Sequence, residues 1–145
     1  MRFIVVAVLA VSLAVSLAGA ASAAGLATLT IKVMNIDPKG GTLRLSLYDE
    51  FTWYKGEDDP LASANVPAVA PETVVTLTDV KPGTYGVKTF QDANNDDKFD
   101  QNFFGLPLER YGFSRDARPF LSEPGFGRTK FTVHDGDNAI TIHLQ

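Results

Sequence analysis

TVVTLTDVKPGTYGVKTFQ, residues 73–91, is the stretch that decides the fold. In TVVTLT, Val75 and Leu77 alternate with Thr76 and Thr78, which is the two-residue period of a strand with one buried face. Asp79-Val80-Lys81-Pro82-Gly83 then supplies turn chemistry, because proline presets φ and glycine accepts backbone conformations closed to other residues. The chain resumes from Thr84 to Gln91 as a second extended run.

The same grammar holds on both sides. Upstream, ATLTIKVMNI places Leu29, Ile31 and Val33 on one face, and GTLRLSLYD does the same with Leu43, Leu45 and Leu47. Asp37-Pro38-Lys39-Gly40-Gly41 separates them, so the pair reads as a β-hairpin. Downstream, RTKFTVHD turns Phe131 and Val133 inward and AITIHLQ does so with Ile140, Ile142 and Leu144, with Asp135-Gly136-Asp137-Asn138 between them. No segment carries a sustained 3.6-residue apolar period. Six clear strands, with a weaker one around Asn65–Val69, predict an all-β fold: a single antiparallel β-sandwich of about seven strands.

The sandwich does not begin at Met1. Arg2 precedes the apolar run FIVVAVLAVSLAVSLA, and Ala21-Ser22-Ala23 fits the small-x-small pattern of signal-peptide cleavage. The expectation is a signal peptide over residues 1–23 and a mature domain over 24–145, exported to the periplasm or the cell exterior. The run is short for an uncleaved membrane anchor, so no stable membrane insertion is expected after cleavage. The chain has no cysteine, which excludes a lipoprotein anchor, disulfides and thiolate chemistry. The formal net charge of −4, one unit more negative without Arg2, argues against nucleic acid or anionic lipid as a partner.

Two long connections, residues 50–71 and 92–127, interrupt the strands. Connections of this length in a compact domain are usually functional or disordered. The second opens on QDANNDDKFDQN, residues 91–102, with four aspartates and two asparagines between Asp92 and Asp100. One reading is a solvated turn, since Asp and Asn bond the local backbone and tolerate unusual φ. The other is a Ca²⁺ loop of structural role: Asp92, Asn94 and Asp96 fall at i, i+2 and i+4, Lys98 would give its backbone carbonyl, and Asp100 would bind directly or through water. Asp97 stands where such loops usually carry glycine, and Phe103 where they carry the bidentate glutamate. A missing ligand would then come from Asp97, or from Glu57, Asp58 or Asp59 in the first long connection.

Other chemistry is thin. His134 and His143 fall on the polar phase of their strands, which argues against zinc. No G-x-S-x-G occurs. Asp49, Glu50, Glu109 and Glu123 are available for a carboxylate-pair hydrolase, but any acidic protein has such residues. Trp53 and Tyr54 suit a sugar-stacking platform, or Phe51 and Trp53 cover an open edge of the sandwich.

Taken in order, LRLSLYDE, VTLTDVKPGTYGVKTFQDANNDDKFDQNFFGLPLERYGFS and FTVHDGDNAITIHL resemble the bacterial exported family of unknown function DUF2141, over roughly residues 29–144. The shared pattern is a P-G-x-Y-x-V strand, a D-x-N-x-(N/D)-x-x-x-D loop and a G-x-P-x-E-x-(Y/W)-G-F-S segment. DVKPGTYGV is also similar to the turn-and-strand of transthyretin-like and collagen-adhesin B-type sandwiches, some of which bind calcium in D-x-N-x-D loops. The resemblance implies a prealbumin/Ig-like sandwich and supplies no activity. The functional expectation is therefore an exported, non-enzymatic binding or envelope module, with a protein or carbohydrate partner recognised by the aromatic segment 103–113. The alternative is a periplasmic hydrolase using loop carboxylates.

Overall fold

The structure is a computed structural model that describes residues 25–56 and 58–145; the expected signal peptide lies outside the described residues, as does Glu57. Among the described residues, eight strands form two sheets. They are β1 (Ala27–Met34), β2 (Thr42–Tyr48), β3 (Ala62–Pro67), β4 (Glu72–Val80), β5 (Gly83–Asp92), β6 (Tyr111–Phe113), β7 (Phe131–Val133) and β8 (Gly136–His143). One sheet has the order β4-β1-β8. The other runs β3-β2-β5, and both β6 and β7 pair along the free edge of β5. The eighth strand, β6, comes from the Tyr-Gly-Phe of the second long connection, where three residues are too few to show an alternation.

The apolar phase read from the sequence is the core. Leu29, Ile31 and Val33 of β1 face Leu43, Leu45 and Leu47 of β2 across the interior, with Val75 and Leu77 of β4, Val87 of β5 and Ile142 of β8 closing it. Each such side chain contributes roughly 2 kcal/mol relative to exposure.

Two expectations are corrected. The expected β-hairpin across Asp37–Gly41 does not form, and the other two turns also join strands that do not pair with each other. β1 pairs with β4 and β8, β2 with β3 and β5, and β7 with β5, so Asp37–Gly41, Lys81-Pro82 and His134-Asp135 each carry the chain from one sheet to the other. Alternation specifies which side chains are buried, and it is equally satisfied when the next strand joins the facing sheet. The sandwich is also not wholly antiparallel. β8 runs parallel to β1 from Ala27↔Gly136 to Met34↔His143. A hairpin would have forced an antiparallel neighbour, and a corner between sheets imposes no such direction.

The outer face of the five-stranded sheet is covered as well. The short helix α1 (Glu50–Trp53) is capped by Asp49, whose carboxylate accepts from Thr52 N at 2.8 Å while Thr52 Oγ1 accepts from Asp49 N at 3.1 Å. That reciprocal cap aims Trp53 onto β5. Gly86 makes room: a Cβ there would lie 2.8 Å from the indole. Trp53 is 2% exposed and groups with Tyr48, Phe113, Ala117 and Phe126, the last from helix α2 (Phe126–Thr129). Its indole N–H donates to the Pro124 carbonyl at 3.2 Å. Trp53 is therefore a core residue and not a stacking platform, while Phe51 is largely exposed.

Candidate functional site

β5 ends on Asp92, and the chain then loops out and returns at Tyr111. Asp92 is 0% exposed, the only completely buried carboxylate among the described residues. Its Oδ2 accepts from Arg44 Nε at 2.8 Å and from Asp97 N at 3.0 Å, and its Oδ1 accepts from Asp96 N at 3.1 Å. Arg44 reaches it from β2, and the same guanidinium donates through Nη2 to Asp97. Burial pushes the Asp92 carboxyl up, but the Arg44 hydrogen bond and the N–H groups of Asp97 and Asp96 outweigh it and hold it below the ordinary carboxylate range. Arg44 is raised in turn, chiefly by the hydrogen bond to Asp92.

Glu109, at the far end of the loop, is the second organiser. It is buried, and its two oxygens accept from Ala93 N at 2.8 Å and Asp100 N at 3.1 Å, which ties the two ends of the acidic segment together. Asn94 Oδ1 accepts from Asp96 N at 3.2 Å, and Asp96 Oδ1 from Lys98 N at 3.0 Å. The side-chain oxygens thus take up the N–H groups of residues 93, 96, 97, 98 and 100. The density of Asp and Asn has a direct cause: a loop without a ladder needs acceptors for its own backbone.

Of the predicted metal ligands, Asp92 lies inside and Asn94, Asp96, Lys98 and Asp100 lie along the outer loop. Asn94 and Asp100 do meet, with Nδ2 donating to Oδ2 at 2.8 Å. Asp97 adopts φ +68°, so it makes the left-handed turn usually left to glycine. Among the described residues, no three carboxylate or imidazole side chains stand close enough together to hold a metal ion. Asp58 and Asp59 do not contribute: their connection returns beside Leu47, which pairs with Val87 in the middle of β5, five residues along the strand from Asp92. The charge that balances the buried aspartate is Arg44. It is legible in LRLSLYD only as a polar-phase residue, and pairing it with residue 92 requires the β2–β5 register, in which Arg44 faces Phe90 and Thr42 faces Asp92.

Beyond Asp100 the chain makes a small arch. Gln101 and Pro107 form an isolated antiparallel bridge, and Leu108 N donates to the Asp100 carbonyl at 2.9 Å. Asn102 holds the interior: its Oδ1 accepts from Phe104 N and Leu106 N, both at 2.9 Å. Gly105 turns the tip at φ +76°. Phe103, Phe104, Leu106 and Leu108 project from it at 97, 82, 60 and 66% exposure. Only the outer part of the aromatic segment 103–113 is therefore a surface; Tyr111 and Phe113 are in β6 and join ring contacts running from Phe90 and Phe99 to Trp53.

Two clefts lie away from this loop. One, of about 640 Å³, is lined by Leu47, Asp49, Leu61, Lys81 and Tyr85 among others. The other, of about 270 Å³, is bordered by Asp116, Arg118 and His143. His143 Nδ1 lies 2.8 Å from Asp116 Oδ2, and His143 is paired with Met34 of β1. Of the hydrolase candidates, Asp49 caps α1, Glu109 closes the acidic loop and Glu123 pairs with Lys88 at 2.6 Å.

No curated protein and no solved structure matches the chain. The likeness to transthyretin-like sandwiches accordingly rests on the turn-and-strand motif. A family model described as an uncharacterized protein conserved in bacteria matches residues 31–141, from mid-β1 to mid-β8 and across the whole loop just described. The chain belongs to that family, DUF2141.

Proposed function

We propose that the protein is an exported, non-enzymatic binding module of the bacterial envelope, and that it binds through the arch at residues 101–108. The observation that carries this reading is the exposure of Phe103, Phe104, Leu106 and Leu108 together on an arch whose foot is tied by Leu108 N to the Asp100 carbonyl and by Asp100 N to Glu109. Exposed apolar groups on a rigid support mark recognition surfaces. A hydrolase built on the loop carboxylates has less support, because the two described clefts exclude Asp92–Glu109 from their linings and the buried carboxylates there are taken up by backbone N–H groups and Arg44. The test is co-sedimentation of the purified mature protein with a washed bacterial envelope fraction. The protein pellets with the envelope, and the Phe103→Ser/Phe104→Ser variant stays in the supernatant. Equal pelleting of both would remove the arch from the function.

A second reading keeps a structural Ca²⁺ in the loop. It is favoured by the left-handed turn at Asp97, which gives the wrap a cation loop needs, and by the exposed side chains of Asn94 and Asp96 at alternate positions. Asp92 does not fit as a direct ligand while Arg44 holds it, so such an ion would use Asn94, Asp96, Asp100 and the Lys98 carbonyl and share the loop with the guanidinium. Calcium titration by calorimetry decides it. Heat at millimolar calcium that disappears in Asp96→Ala supports the ion, and no heat removes it.

A further inference from the structure

We infer that the arch at residues 101–108 docks on a lipid bilayer whose headgroups are zwitterionic, with Phe103, Phe104, Leu106 and Leu108 entering the interface. This rests on the reading of the arch as the binding surface and goes further by naming what it binds. Three observations separate a lipid surface from a protein or a glycan.

The first is shape. Phe103 and Phe104 are almost wholly exposed, their rings meet edge to face at 5.5 Å, and a Cβ built on Gly105 would meet nothing within 4 Å. The apolar groups stand out from the body, and a soft medium can close around such a projection from all sides.

The second is the backbone. A segment entering an apolar medium must satisfy its own polar groups. Here Asn102 N donates to the Leu106 carbonyl, Gly105 N to the Asn102 carbonyl, Leu108 N to the Asp100 carbonyl, and Phe104 N and Leu106 N to Asn102 Oδ1. Pro107 has no N–H. Of the six N–H groups from Asn102 to Leu108, five are thus taken within the arch, that of Phe103 being the exception, so few donors are left for a peptide or sugar partner and most of the arch's donors are closed to lipid.

The third is charge. At the foot of the arch Asp96, Asp97 and Asp100 outnumber Lys98, and Arg44 is already engaged by Asp92 and Asp97. A collar with an excess of carboxylates complements the ammonium groups of phosphatidylethanolamine or phosphatidylcholine and is repelled by an anionic surface. The acidic balance of the whole chain acts in the same direction.

The experiment is sedimentation of the mature protein with protein-free phosphatidylethanolamine/phosphatidylcholine vesicles, compared with vesicles carrying added phosphatidylglycerol. Binding to the zwitterionic vesicles is expected, at least about tenfold weaker for Phe103→Ser/Phe104→Ser and weaker on the anionic vesicles. Both serines replace exposed side chains, and circular dichroism checks that the variant folds. A Phe103→Trp variant supplies an independent readout: its emission shifts to the blue on adding zwitterionic vesicles, whereas the buried Trp53 of the native protein does not respond. Absence of vesicle binding, equal binding by the serine variant, tighter binding to anionic vesicles, or an unchanged emission spectrum of the Phe103→Trp variant each overturns the inference. Pelleting with whole envelopes through the arch, without binding to pure lipid, would overturn the lipid partner alone and leave the binding-module reading standing.

Discussion

Replacing Arg44 by methionine isolates the interaction on which the loop depends. The variant keeps the aliphatic stem that lies along β2 and removes the guanidinium from Asp92 and Asp97. Asp92 is then a carboxylate without a counter-charge in a site of no solvent exposure. Breaking one partner of a buried pair costs about 3–5 kcal/mol. The lower end applies here, because the Arg44 side chain retains 21% exposure and Asp92 keeps the N–H groups of Asp96 and Asp97. The expected loss is about 3 kcal/mol, which for a domain of this size lowers Tm by about 10 °C. Asp92→Asn should cost a similar amount. The Arg44→Met/Asp92→Asn double variant should cost less than the sum of the singles, with a coupling of about 2 kcal/mol. Urea unfolding of the four proteins measures all three quantities. A cost of about 0.5 kcal/mol for Arg44→Met, the value of an exposed ion pair, with additive behaviour in the cycle, would refute the reasoning.

Three further outcomes follow from the same geometry. Stability should fall with acid: the Asp92 carboxyl is held below its ordinary value, as is that of Asp49 through the Thr52 N–H, so their contribution is complete above that value and is lost as the pH falls through the depressed one. Urea midpoints between about pH 6 and pH 2 follow it, and a slope unchanged in Asp92→Asn would contradict the role given to that residue. Gly41→Ala should cost about 3 kcal/mol, since Gly41 has φ +85° and a Cβ would lie 2.7 Å from Ala93 Cα beneath the acidic loop; a near-neutral Tm would show that the corner relaxes freely. Trp53, the one tryptophan, should emit at short wavelength and be poorly quenched by iodide, and Trp53→Ala should cost about 4 kcal/mol; strong quenching would place it at the surface.

The sequence carries burial better than it carries connection. Leu43, Leu45 and Leu47 report their phase because each local choice of side chain repeats the same fact, and the strands follow. The residues Asp37–Gly41 contain every sign of a hairpin, yet the turn leads to the other sheet, because sheet choice depends on which strands are free to pair and not on the turn residues. The parallel β1–β8 pair is illegible for the same reason. At the loop, Asp92, Asn94, Asp96 and Asp100 stand out by composition. What organises them does not: Arg44 is distant in the chain, and Glu109 sits in a Gly-x-Pro-x-Glu segment whose meaning appears only when its carboxylate meets Ala93 N and Asp100 N. Gln91, buried and donating through Nε2 to the Asp37 and Gly40 carbonyls, clamps the β1–β2 corner beside the loop and gives no signal in the sequence at all.

The central claim is that Arg44, Asp92 and Glu109 order the loop from within and so hold the arch in place. Backbone ¹⁵N relaxation on the mature protein in excess EDTA tests it most directly. Order parameters for residues 93–100 and 102–106 should approach about 0.85, the value of rigid backbone, with no added cation. Values below about 0.6 in EDTA, rising only when calcium is supplied, would contradict the account and transfer the organising role to an ion.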